Sequence, residues 1–120
     1  MLQEVIKLWT LRHLGEEAPF WRGQKMLKVV AKMSFAPEAM EKVMPLVEEL
    51  VAATVKEEGC ISYNFCLEAE ATDSYAMIES WATKEALDAH SSSEHFIRIL
   101  PQLRDLGQGT SQLSAFVVLV

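Results

Sequence analysis

Hydrophobic and polar positions change period several times along the chain, and each change marks an element. From Met26 to Phe35 they alternate, with Leu27, Val29, Ala31, Met33 and Phe35 on one side and Lys28, Lys32 and Ser34 interleaved on the other. That period of two predicts a half-buried strand. From Pro37 to about Glu58 the period lengthens, so that Met40, Val43, Val47, Leu50, Val51 and Thr54 form one stripe and Glu41, Lys42, Glu48, Glu49 and Lys56 the opposite one. A helix is predicted there. Pro45, which lacks a backbone donor and collides with the carbonyl four residues earlier, predicts a kink or a restart within it. Gly59 predicts its stop, at a positive φ. Two strands, Cys60 to Glu68 and Tyr75 to Trp81, flank the acidic turn EAEATDS and predict an antiparallel hairpin. Thr83 opens a helix that runs to His90, and SSSE caps a second one through His95, Phe96, Ile99, Leu100 and Leu103, ended by Gly107 and Gly109. The apolar tail SQLSAFVVLV predicts a fourth strand buried on both faces or nearly so. The order strand, helix, strand, strand, helix, strand is that of an α+β, ferredoxin-like βαββαβ domain with helices on one face of a four-stranded antiparallel sheet.

Charge divides the chain at the same place as the pattern. Residues 1–25 carry four basic and three acidic groups, against seven and fourteen in residues 26–120. Within the first segment Leu2, Val5, Ile6, Trp9 and Leu14 recur at helical spacing before Gly15, Pro19 and Gly23 break it. An N-terminal helical extension and linker over 1–25 is therefore expected, followed by one domain over 26–120. The net charge of −6 lacks the positive stripe that releases counterions from a phosphate backbone, which argues against a nucleic-acid partner. Cys60 and Cys66 lie six apart on one predicted strand, roughly 20 Å if fully extended, too far to bridge each other. Reduced thiols and a cytoplasmic location follow as the expectation. No apolar run approaches the ~20 residues of a membrane span, so no membrane partner is expected. A sheet with helices on one face leaves the other uncovered, and apolar residues in both registers of several strands predict a second copy packed there.

Four runs then resemble a known family. KEEGCISY (Lys56 to Tyr63), IESW (Ile78 to Trp81), KEALDAH (Lys84 to His90) and SEHF (Ser93 to Phe96) are similar, in order and separation, to motifs of the antibiotic biosynthesis monooxygenase domain family. The resemblance spans residues 26–120. It implies a dimeric α/β barrel of ferredoxin-like topology and a role among cofactor-independent oxygenases that turn phenols or quinols into quinones, haem-degrading enzymes or small-sugar isomerases. By an ungapped comparison the positions of the haem-degrading branch's catalytic asparagine, ruffling-contact tryptophan and proximal histidine are Met33, His90 and Leu100, so none of the three matches. The asparagine that some quinone-forming members carry four residues before the strand-end tryptophan is Met77 here.

Oxygen chemistry without flavin, haem or metal requires a substrate electron-rich enough to reduce dioxygen itself, so the protein must bind and deprotonate a phenol inside an apolar cage. His90 and His95 are the only histidines of the domain body and are the candidate bases. Asn64 and Tyr63 are candidate polar orienters of a small aromatic substrate, and Trp81 and Phe96 candidate pocket walls, although Tyr63 and Asn64 face one pocket only if a bulge intervenes. Glu79 is expected in an ion pair with Lys28 or Lys32, with a raised-pKa base as the alternative. Two histidines five apart without a third ligand motif do not make a zinc site, so no metal or other cofactor is expected, and molecular oxygen is the co-substrate. The expectation is a homodimeric, cofactor-independent monooxygenase; the alternative is a non-catalytic binder of small hydrophobic ligands or a stress-associated protein using the same cavity.

Overall fold

A computed structural model describes residues 25–120 of the chain. The helical extension expected over 1–25 lies, but for its last residue, outside the described residues. Strands β1 (Leu27–Ser34), β2 (Cys60–Leu67), β3 (Ser74–Trp81) and β4 (Gln108–Val117) form one antiparallel sheet in the order β2-β3-β1-β4. Helices α1 (Met40–Thr54), α2 (Lys84–Ser91) and α3 (Glu94–Leu106) cover one face. This is the ferredoxin-like arrangement that the order of periods predicts.

The core lies between the helices and that face. Leu27 and Val29 of β1, Tyr63 of β2 and Met77 and Trp81 of β3 meet Val43, Val47 and Leu50 of α1, Leu87 of α2 and Phe96, Ile99 and Leu103 of α3. The helical stripes are thus the faces that the 3.6-residue period picks out. Capping follows the hydroxyls: Thr83 accepts from the amide of Ala86 at 3.1 Å and Ser93 from that of Phe96 at 3.4 Å, so α2 and α3 start where an oxygen can satisfy an orphan donor.

Three local expectations are corrected. α1 runs unbroken through Pro45, and the irregular turn is the 3-10 segment Pro37–Ala39 that precedes it. Pro45 stands in the second turn of α1, where a missing donor costs one bond near the end of the ladder and the helix is held by its buried stripe. α1 also ends at Thr54, before Gly59, which instead turns the chain into β2. The tail strand begins earlier, at Gln108, and is buried on one side only: Leu113, Ala115 and Val117 pack on the core while Phe116 stays 57% exposed on the uncovered face. The reason is that the helices cover one sheet face, so alternate residues of the edge strand meet no helix among the described residues.

The register of β2 against β3 shifts between Cys60 and Ser62, leaving Ile61 as a bulge residue. The shift puts Cys60, opposite Trp81, on the same side as Tyr63, opposite Glu79, and as Phe65, opposite Met77. Ser62, Asn64 and Cys66 point to the uncovered face. The bulge therefore regroups Cys60 with Tyr63 rather than with Asn64, contrary to strict alternation.

Gly59 has φ +83, and a Cβ added to it would lie 2.5 Å from the Cβ of Ala86 in α2. Both the left-handed backbone and the close approach of α2 require glycine here. Gly59→Ala is expected to destabilise the fold by about 3 kcal/mol, combining backbone strain with a core-side overlap. Gly109→Ala, at φ +66 but in open space, is expected to cost about 1 kcal/mol. Urea unfolding of both variants measures the difference.

Candidate active site: a carboxylate holding two histidines beside an apolar cavity

A cavity of about 160 Å³ lies between the helices and the sheet. Its walls are mostly apolar, from Val29 and Ala31 of β1, Met77 of β3, Leu50 of α1 and Phe96 and Leu100 of α3. Titratable groups interrupt that lining: His90 of α2, Tyr63 of β2, Glu79 of β3 and Lys32 of β1.

His90 occupies the last turn of α2 and is 1% exposed. Its ring is enclosed by aromatic neighbours, with centroids 4.8 Å from Trp81, 5.1 Å from Tyr63 and 4.9 Å from Phe96. Nδ1 lies 2.7 Å from Oε2 of Glu57, and the same oxygen lies 2.6 Å from Nε2 of His95 in the first turn of α3. Burial works to raise the pKa of Glu57, but the hydrogen bonds and charge of His90, and then of His95, outweigh it and hold the carboxyl below its usual range. An ionised carboxylate only accepts, so His90 carries its proton on Nδ1 and His95 donates from Nε2. Burial, opposed by the Glu57 carboxylate, lowers the pKa of His90 and keeps the ring neutral at neutral pH. Its Nε2 is therefore a lone-pair nitrogen, and it is buried without a partner among the described residues. An unpartnered buried acceptor costs stability, and such groups concentrate where a ligand supplies the missing partner.

Glu79 is 5% exposed. Nε1 of Trp81 donates to its Oε1 at 2.9 Å, and no ion pair reaches it among the described residues. The expected pairing with Lys28 or Lys32 does not form among the described residues; Lys28 lies on the other sheet face, where it donates to Oγ of Ser80 at 3.0 Å. Burial, opposed by the Trp81 N–H and reinforced by the charge of Glu57, pushes the Glu79 carboxyl up to about 8. The phenol of Tyr63 is raised well above its usual value, by burial first and then by the charges of Glu79 and Glu57.

The structure brings together some of the residues expected at the site and separates others. His90, Tyr63 and Phe96 line the cavity. His95 does not; it holds Glu57 from behind His90. Trp81 is fully buried and supports the wall by gripping Glu79 and tilting against His90. Asn64 is exposed on the uncovered face, opposite Ile78, so it is no orienter of a ligand in this cavity. Glu57 is the residue that sequence reasoning missed. It is one of two adjacent glutamates before Gly59, and only its half-burial against two histidines 33 and 38 positions away distinguishes it from Glu58.

Glu57, His90 and His95 also supply the third ligand-type group that the two histidines lack in sequence, and their ligating atoms lie within 4.8 Å of one another. The carboxylate oxygen sits at 2.6 and 2.7 Å from the two nitrogens, whereas ligands of one tetrahedral metal lie about 3.3 Å apart. As placed, the cluster has the spacing of a hydrogen-bonded proton network.

The chain matches the model of the antibiotic biosynthesis monooxygenase family over residues 26–102. It belongs to that family. A conserved protein from Methanosarcina mazei has a structure 33% identical in sequence, with a TM-score of 0.75 over 78% of this chain and 92% of that one. A crystal structure described as antibiotic biosynthesis monooxygenase is 31% identical, with a TM-score of 0.73 over 78% of this chain and 99% of that one. An uncharacterised protein of Synechocystis is 27% identical over 78 residues, which is 65% of this chain and 53% of the relative, so the match spans about half of that relative's length.

Burying a carboxyl that stays protonated ties stability to pH. The folded pKa of Glu79 stands above its ordinary unfolded value of 4.5, so the native state binds the extra proton and stability falls as pH rises from about 4.5 towards about 8. Glu79→Gln removes that slope while keeping an oxygen for Trp81. The variant is expected to exceed the wild-type protein in stability at pH 7.5 by on the order of 3 kcal/mol, and to match it near pH 4.5. Urea unfolding across that range measures both.

Proposed function

We propose that this protein is a cofactor-independent monooxygenase that oxidises a small aromatic phenol or quinol to a quinone with dioxygen. The observation that carries the reading is the orphaned Nε2 of His90, a neutral imidazole nitrogen buried at an apolar cavity with its tautomer set by Glu57. A phenol entering the cavity satisfies that nitrogen and gives up its proton to it. The resulting phenolate, desolvated among aliphatic walls, is electron-rich enough to transfer one electron to dioxygen, which removes the spin barrier without flavin or metal. His95 and Glu57 are positioning residues: they keep the proton of His90 on Nδ1 and stabilise the imidazolium that forms. The family membership and the solved relative described as a monooxygenase support the same class of reaction.

The volume narrows the substrate. A cavity of about 160 Å³ is close to the ~150 Å³ engineered protein cavity that holds a benzene molecule, so one ring with small substituents fits and a polycycle does not. The reading also takes the protein as a homodimer of the cytoplasm with reduced cysteines. Ile78 and Phe116, 43% and 57% exposed on the helix-free face, support a second copy seated there. Among the described residues, no helix is long and apolar enough to cross a membrane.

His90→Gln is expected to lower oxygen uptake with single-ring phenols by 100-fold or more, while phenol still raises the melting temperature. Because the base must be neutral, wild-type uptake is expected to fall as pH drops through the range in which His90 gains its proton, below the ordinary 6.5. Oxygen-electrode assays of metal-stripped protein check both. Thermal stabilisation by phenols without uptake at any pH would sink the oxygenase and identify a ligand-binding protein.

A further inference from the structure

The mechanism above uses His90 and leaves a second buried titratable group of the same cavity without a task. We propose that Glu79, which lines the same cavity as the base, is the proton donor of the site and delivers its proton to the oxygen-derived anion. The proposal rests on the phenol-oxidising reading and goes beyond it by assigning the acid.

Geometry supports it before electrostatics does. Glu79 reaches the cavity from the middle of the sheet, flanked by Val29 on β1 and Tyr63 on β2. One carboxyl oxygen, Oε1, accepts from Trp81 at 2.9 Å, which fixes the side chain and leaves Oε2 as the site of the proton. The other titratable or charged groups around it are Tyr63 and Cys60 of β2, Glu57 before β2, His90 of α2 and Lys32, which lines the cavity from β1. None forms an ion pair with Glu79 among the described residues. A carboxyl so placed remains neutral and donates, and burial together with the nearby Glu57 charge is the cause.

The steps balance without another reactant. His90 Nε2 takes the phenolic proton. The phenolate passes one electron to dioxygen, and the radical pair joins at the ring carbon para to the oxygen, forming a C–O bond and leaving the negative charge on the distal oxygen. Glu79 protonates that oxygen to give a hydroperoxide. The carboxylate so produced removes the hydrogen of the same ring carbon as the O–O bond breaks, and the departing hydroxide takes the proton held by His90. Phenol and dioxygen become quinone and water, and both residues return to their starting states. One carboxyl with its pKa raised and one imidazole with its pKa lowered thus serve as acid and base in one cavity.

Glu79→Gln keeps the acceptor for Trp81 and the shape of the wall but has no proton to transfer. In steady-state oxygen uptake with a single-ring phenol whose para position is free, the variant is expected to lose about 100-fold in kcat with KM within about twofold of wild type. Wild-type kcat is expected to fall as pH rises through about 8, where Glu79 loses its proton, and the variant to lack that fall. Wild-type uptake accompanied by undiminished uptake in Glu79→Gln, or by the same alkaline fall in both, overturns the assignment of Glu79 alone. No uptake by wild type with any phenol overturns the reading it rests on and this step with it.

Discussion

One carboxylate oxygen receiving two imidazole N–H groups is the contact on which the site depends. Glu57 stands between α1 and β2, His90 at the end of α2 and His95 at the start of α3, so Oε2 joins three separate segments at one point. The contact requires the turn before β2 to come close to α2. Gly59 makes that approach possible, because the space a side chain would need is taken by Ala86. Ser93 adds a second constraint, since its hydroxyl donates to the carbonyl of His90 at 2.7 Å and lies 3.2 Å from Nε2 of His95. The junction of α2 and α3 is thereby tied to both histidines.

The cavity follows from the same layering. Helices on one sheet face enclose a core, but α2 is short, and small residues such as Ala31 and Ala115 lie beneath the helices where larger ones would fill the space. Good packing would remove the void. Here it persists with His90 and Glu79 at its edge, so packing stability is given up beside the two groups to which the proposed reaction assigns the proton transfers. Glu79 shows the same trade. A methionine or leucine at this strand position would pack without any proton to hold, while the carboxyl remains, gripped by Trp81 and without a cation among the described residues.

Both faces of the sheet bear on the protein's function in different ways. The covered face presents Tyr63, Met77 and Glu79 to the cavity. The other face, which no helix covers among the described residues, presents Asn64, Ile78 and Phe116. Which residues belong to which face is decided by the bulge at Ile61. Without it Cys60 would join Asn64, and the thiol would leave the side on which Glu57 and Glu79 raise its pKa after burial has done so.

The order and type of the elements were legible in the sequence because each depends on neighbours two to four residues away: alternation in β1, the apolar stripe of α1, the caps at Thr83 and Ser93, the positive φ of Gly59. The two histidines, Tyr63 and Phe96 were legible as chemistry-bearing residues, since type alone marks them. The sequence could not show that His90 is sealed from solvent, that Asn64 points away, that Glu79 forms no ion pair among the described residues or that Glu57 rather than Glu58 meets the imidazoles. Those facts depend on a one-residue bulge and on contacts across 33 to 52 positions. Local periodicity carries no information about such distances, whereas burial and hydrogen-bond partners, which set pKa values and proton positions, are properties of the packed chain.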